Sequence, residues 1–253
     1  MLATLRALIK MPILLMLMLF ALVLLMSMRV LSLPRDAVRM WLYKLCLLIC
    51  SMRVSVEGEP AAKPSLLVSN HQSYLDVIAL GASADMCFTP KSDVAAWPLI
   101  GPLVREFGVV FVSRDRHKAK EVMRDLMQEL EAERRICVFP EGTTNDGRSL
   151  QSFKPSPFNL SEIWRETHPS TLPVQPVSVI YESVNGKLLE GDAWDNIAWY
   201  GDMDFFPHLW SMLGCRSITM RIVFHHIIEI EGADRKALAA YAEKVVRDSL
   251  SIA

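Results

Sequence analysis

The sequence predicts an α/β domain built on a mostly parallel, helix-covered sheet and preceded by an N-terminal helical membrane anchor. Three observations point there: an uncharged apolar run near the N-terminus, short β-type runs that alternate with amphipathic helical ones, and polar turns that close several of those runs. With 253 residues at 51% hydrophobic content, the chain is long enough for one such domain plus a separate segment. The expected division is 1–57 for the anchor and 58–253 for the α/β domain.

The anchor comes first. From Met11 to Met28 the chain carries no charge, with Arg6 and Lys10 before this run and Arg29 after it. A helix of that length spans about 27 Å, just short of a bilayer's hydrocarbon core of about 30 Å. A cleaved signal peptide is the alternative, but Arg29, Val30 and Leu31 follow where small residues would mark the cut. Trp41 to Met52 is a second apolar stretch, interrupted by Lys44 and preceded by Arg35 and Arg39. It is too short to span and is expected as a helix in the membrane interface. Basic residues on both sides of the first segment leave its orientation open.

The net charge of −1 hides an asymmetry, because residues 1–57 hold seven Lys/Arg against two Asp/Glu. The body has no long basic stripe with interleaved aromatics, so nucleic acid is not the expected partner and a membrane surface is. Cys46, Cys50, Cys87, Cys137 and Cys215 are odd in number and mostly set in apolar runs, as buried thiols of a reducing compartment are. Cys46 and Cys50 share a helix face but have no second ligand pair nearby in sequence, so no metal site is expected.

Beyond the turn-like Glu57–Pro64 linker, strands are expected at 66–70, 86–89, 109–113, 136–139, 174–181 and 219–224. Helices are expected over Ser73–Gly81, His117–Glu133, Pro157–Glu166 and Asp234–Leu250. In open α/β sheets the chemistry gathers at the carboxyl ends of strands. Asn70-His71 follows the first run, Ser113-Arg114 the third, and Pro140-Glu141-Gly142-Thr143 the fourth.

His71 and Asp76 stand five apart in NHQSYLD. On a continuous helix that offset separates side chains by about 140°, so contact requires His71 in a turn and Asp76 inside the helix that follows. Two uses compete. Ser73 and Asp76 form a capping-box pattern, or Asp76 orients the imidazole so that its other nitrogen takes a proton from an alcohol. No G-x-S-x-G accompanies the pair, so the attacking oxygen is expected on the substrate. Arg114 is either a surface charge or a bidentate anion ligand. Glu141 is either an exposed turn residue or a carboxylate set beside the N–H groups that Gly142 frees.

In order and spacing these segments resemble the motif blocks of the glycerolipid acyltransferases, the 1-acyl-glycerol-3-phosphate acyltransferase group. The blocks are His71 to Asp76; Gly108, Phe111 and Arg114; Phe139 to Gly142; and Pro173 with Pro176, together spanning roughly 64–180. The resemblance implies that His71, held by Asp76, deprotonates the free hydroxyl of a lyso-lipid, which attacks the thioester of acyl-CoA or acyl-carrier protein without a covalent enzyme intermediate. It implies no cofactor or metal. Arg114, Glu141, Gly142 and Thr143 would bind the acceptor headgroup, and Lys91 and Lys154 match further basic positions of the family. It also implies a bacterial inner-membrane protein with its α/β domain on the cytoplasmic side. After Thr143 the phosphate-acceptor enzymes commonly carry a basic residue, where this chain has Thr144. The stretch 198–210, AWYGDMDFFPHLW, is similar to bacterial members that include lyso-ornithine-lipid acyltransferases. A His/Asp hydrolase of lipid esters or thioesters, and a non-enzymatic lipid binder, are the competing readings; oligomeric state is left open.

Overall fold

The computed structural model describes residues 1–113, 115–230 and 232–251, the side chains of Arg116 and Asp192 aside. Two helices open the chain, α1 (Leu2–Val30) and α2 (Asp36–Ile49), followed by strands β1 (Met52–Glu57) and β2 (Ser65–Ser69). Then come α3 (Tyr74–Ser83), β3 (Cys87–Phe88), α4 (Ile100–Glu106), α5 (Ala119–Glu131), β4 (Arg135–Val138) and α6 (Asn159–Thr167). The last third holds β5 (Val174–Val184), β6 (Lys187–Leu188), α7 (Phe205–Gly214), β7 (Ile218–Phe224) and α8 (Arg235–Ser251).

The strands form one sheet in the order β1-β7-β5-β2-β4-β3, with β6 paired to β5. All pairs are parallel except β5 with β7 and β5 with β6. β2 lies inside the sheet and is buried along its whole length, because its alternating side chains meet two different layers. Leu67 faces the core shared with Leu75 and Leu80 of α3 and Met212 of α7, while Leu66 and Val68 face Leu130 of α5, Phe158, and Val246 of α8.

Two expectations are corrected here. The sheet begins before residue 64, because Met52, Val54 and Val56 alternate with Arg53, Ser55 and Glu57 in a period-two pattern that pairs in register with β7. The helix expected to run to Met52 ends at Ile49, and Ser51, at φ +56°, turns the chain into that strand. Residues 52–57 thus belong to the sheet and not to the membrane-binding part. Conversely, 109–113 is extended but forms no strand of its own. It runs beyond the short β3 with Val110 N donating to Phe88 O and Val112 N to Pro90 O.

α1 is longer than its uncharged run, 29 residues or about 43 Å. It lies along the domain, burying Ala7, Leu14, Ala21 and Leu25 on one stripe and leaving most of its apolar surface exposed. Both ends are tied down. Arg6 Nη1 donates to Gly214 O at 3.2 Å and Lys10 Nζ to Cys215 O at 2.8 Å, while Arg29 pairs with the buried Glu106 at 3.0 Å. Glu106 also meets Arg35 at 3.2 Å, fixing the turn between α1 and α2 to α4. α2 then packs on α3, where Tyr43 lies flat against Gly81.

A Cβ on Gly81 would sit 2.4 Å from the Tyr43 ring. Gly81→Ala is therefore expected to push α2 off α3 and to destabilise the fold by about 1–3 kcal/mol, the usual range for overpacking. A thermal melt of the purified full-length protein measures the loss.

Candidate active site

β2 ends at Ser69, and the four residues before α3 make the turn that carries His71. Three buried side chains hold that turn. Asn70 reaches across to β5, with Nδ2 donating to Val179 O at 2.9 Å and Oδ1 accepting from Val179 N at 2.8 Å. Asp76 reaches back from the first turn of α3. Its Oδ2 takes the His71 Nδ1 proton at 2.8 Å and the N–H groups of Gln72 and Ser73 at 2.7 and 2.9 Å. The helix-cap and dyad uses of Asp76 are therefore simultaneous, one oxygen serving both.

The other oxygen is also filled. Tyr181, buried at the end of β5, donates from its hydroxyl to Asp76 Oδ1 at 2.5 Å. Burial, reinforced by the Asp76 charge, pushes the Tyr181 phenol well above its ordinary range, so it remains a donor. Sequence reasoning missed Tyr181 because it stands in an apolar strand. The available signal was general: a buried phenol needs a polar partner.

Glu141 is the third clamp. It is 1% exposed, and its carboxylate accepts from His71 N at 2.7 Å, Asn145 Nδ2 at 2.6 Å and Gln151 N at 3.0 Å. Asn145 N in turn donates to His71 O at 3.1 Å. Burial raises the Glu141 carboxyl above its ordinary value, and those three donors oppose the shift. The expectation that Glu141 faces a headgroup is thus replaced: the side chain points inward and holds the backbone of His71.

The His71 ring stacks on Phe139 at 3.9 Å and 13°, which fixes its plane. Its side chain is 18% exposed. With Nδ1 committed to Asp76, Nε2 is the nitrogen left for a ligand. No serine or cysteine hydrogen-bonds to the ring among the described residues. Beside it, Gln72 is 4% exposed, and its amide oxygen has no hydrogen-bond partner among the described residues.

Gly142 and Thr143 are exposed at the turn after β4. Gly142, at φ +75°, lets Lys154 approach: a Cβ there would lie 2.5 Å from Lys154 Nζ. The structure thus brings Lys154 to the Glu-Gly-Thr turn. Lys91 lies at the sheet edge, at the start of a 3₁₀ turn and bridged to Val112. The Phe88–Phe139–His71 series of stacked rings links that edge to the site. Arg114 lies outside the described residues. On the other side, Tyr74, Trp199 and Phe205 form an edge-to-face cluster that starts at the first residue of α3, with Trp199 N donating to Gln72 O at 2.9 Å.

The chain is similar to known acyltransferases over most of its length. Residues 53–180 match the family model described as Acyltransferase. A lyso-ornithine lipid O-acyltransferase of Rhodobacter capsulatus is 32% identical over 82% of this chain and 73% of its own length. One of Pseudomonas aeruginosa is 32% identical over 84% and 77%. A 1-acyl-sn-glycerol-3-phosphate acyltransferase of Neisseria meningitidis is 26% identical over 75% and 72%. The crystal structure of the 1-acyl-sn-glycerophosphate acyltransferase of Thermotoga maritima superposes with a TM-score of 0.69, covering 98% of this chain and 94% of that one. At 21% identity that likeness concerns the fold. A sheet matched over nearly the whole chain, a family model matched over residues 53–180, and a His–Asp pair at the end of an inner strand converge, and the chain belongs to the acyltransferase family.

Proposed function

We propose that this protein transfers a fatty acyl group from a thioester to the free hydroxyl of a membrane lyso-lipid, with His71 as general base, and that lyso-ornithine lipid is the favoured acceptor over 1-acyl-glycerol-3-phosphate. The observation that carries the reaction type is the His71 ring, locked through Nδ1 and open at Nε2 with no enzyme hydroxyl or thiol bonded to it among the described residues. The substrate hydroxyl gives its proton to Nε2 as its oxygen adds to the thioester carbonyl. The resulting oxyanion collapses, the C–S bond breaks, and the imidazolium returns the proton to the leaving thiolate. Acyl-CoA and acyl-carrier protein both supply such a thioester, and no cofactor is needed. The unpartnered Gln72 amide oxygen is an acceptor that an N–H or hydroxyl donor of a bound lyso-lipid can satisfy.

Two observations support the ornithine acceptor. The relatives at 32% identity carry that name, against 26% for the phosphate-acceptor enzyme. A phosphate monoester, with up to two negative charges, calls for several fixed cations; Lys154 stands at the turn, but position 144 is threonine. A charge-assisted hydrogen bond is worth roughly 1.5–3 kcal/mol, so one fewer costs about tenfold or more in binding. The lyso-ornithine headgroup presents a single carboxylate with an amine. With Glu141 turned inward, Lys154 is the cation beside the turn that would take the carboxylate, Lys91 and Arg114 being the further basic residues that the resemblance implies, and Thr143 is an exposed hydroxyl on the same turn.

The membrane side is α1 and α2. Because α1 is tied to the domain at both ends, it lies in the bilayer surface with its exposed leucines and methionines in the acyl region, rather than crossing it. The site then opens on the cytoplasmic leaflet of the bacterial inner membrane, where acyl thioesters are made.

Three outcomes test these statements. His71→Ala should lower turnover by about 10²–10⁴-fold with vesicle binding unchanged. More than about a tenth of wild-type turnover remaining, or free fatty acid released at the same rate without acceptor, would overturn the transferase assignment. Tyr181→Phe removes the donor to Asp76 Oδ1 and loosens the carboxylate that orients the His71 ring. kcat/KM should fall by about tenfold, the equivalent of one lost charge-assisted hydrogen bond, with the fold retained in a thermal melt against wild type. In competition between equal amounts of the two lyso-lipids with one acyl donor, the wild type should favour lyso-ornithine lipid and Thr144→Arg should shift the ratio toward the phosphate acceptor. Strong wild-type preference for the phosphate, unchanged in Thr144→Arg, refutes the missing-cation argument.

A further inference from the structure

The stretch 198–210 has a use beyond its resemblance to relatives. Its last part begins α7, whose inner face is buried through His208, Leu209, Met212 and Leu213. The outer face does the opposite: Phe206 is 71% exposed and Trp210 37%. Phe206, Trp210 and Gly214 are spaced by four and so lie on one stripe of the helix. Gly214 is where α1 crosses, packed under Ala3, with Arg6 held to its carbonyl. Phe206 is about 12 Å further along the stripe. The exposed apolar residues of α1 around this crossing include Leu2, Leu5 and Ile9. The apolar surface of α1 therefore continues without a change of helix face onto two aromatics of the catalytic domain.

The geometry points to α7 as a third membrane-contacting element: Phe206 and Trp210 enter the same lipid surface as α1, beside the active site. This rests on the placement of α1 in the membrane given above. Aromatic side chains favour the level of the headgroups, where the ring is half in hydrocarbon and the indole N–H meets water. Asp202 and Asp204, exposed just before α7, keep its start at that level and prevent deeper entry. The inner side of the same helix carries Phe205 and His208, which touch Tyr74, the first residue of the helix that holds Asp76. Seating α7 in the lipid thus brings the acceptor's chain to the aromatic wall next to His71.

The test uses the full-length protein with vesicles of phosphatidylethanolamine and phosphatidylglycerol. Vesicles with brominated acyl chains should quench a share of the wild-type tryptophan emission that is missing in Trp210→Phe. The double variant Phe206→Ser/Trp210→Ser should bind vesicles about tenfold more weakly and lose acyl transfer to vesicle-embedded acceptor in proportion, while transfer to detergent-dispersed acceptor stays within about twofold. Equal quenching in wild type and Trp210→Phe, or a double variant with unaltered partition, would overturn the inference. A wild type that acylates no lyso-lipid would instead refute the proposed activity, since quenching and partition are read without turnover.

Discussion

The site depends on one buried carboxylate. Asp76 has no exposed surface, and burying a charge is tolerable only where its lone pairs are filled. Here they are filled by His71 Nδ1, two backbone N–H groups and the Tyr181 hydroxyl. An ionised carboxylate only accepts, so His71 must carry its proton on Nδ1, and Nε2 is left with its lone pair. Rotating Asp76 to free either oxygen would leave buried donors unpaired. The geometry of the His71–Asp76 pair and the start of α3 are therefore fixed by the same bonds.

Around this carboxylate the turn is held from two more directions. Asn70 pairs both ends of its amide with Val179, extending the β2–β5 pairing past the last residue of the ladder. Glu141 joins the His71 backbone to the loop that carries Asn145 and Gln151. Each clamp draws on a different segment, so His71 is positioned by the helix after it, by the adjoining strand β5 and by the loop after β4. Such rigidity suits the role proposed for His71, because a base acting directly on a substrate hydroxyl needs its orientation supplied entirely by the protein.

The sequence disclosed much of this, with failures that have physical reasons. The order of strands and helices was readable from periodicity for most elements, since β2, β4, β5 and β7 carry dense apolar runs. β1 escaped notice because an edge strand needs only one apolar face, and Met52, Val54 and Val56 alternate with polar residues directly after a helix. α7 escaped because Pro207 argues against a helix, although it sits in the first turn, where no intrahelical N–H bond is lost. Among site residues, the spacing of His71 and Asp76 allowed either a capping box or a dyad, the resemblance implied the dyad, and the structure shows both contacts on one carboxylate. Glu141 was misjudged because a glutamate beside a glycine in a turn suggests exposure, whereas the backbone donors converging on it come from loops distant in sequence. Tyr181 joins Asp76 across more than a hundred residues, a relation no local pattern encodes.

The membrane-facing part is attached to this site by charge as well as by packing. Glu106 is 4% exposed and meets Arg29 at the end of α1 and Arg35 before α2, so one buried acid holds both arms of the hairpin. Arg29 is more than half exposed and solvent screens its share, so the two arginines together compensate the buried acid. Tyr43 on Gly81 then couples α2 to α3, the helix that starts at the catalytic turn. The hairpin is thus no flexible tether, and the distance of His71 from the exposed apolar face of α1 is set by the fold. In the function proposed above, a rigid base at fixed height acts on a hydroxyl only when the lipid rises to it. Lys154 and the aromatic wall at Tyr74 would then have to bind lipid partly drawn from the bilayer.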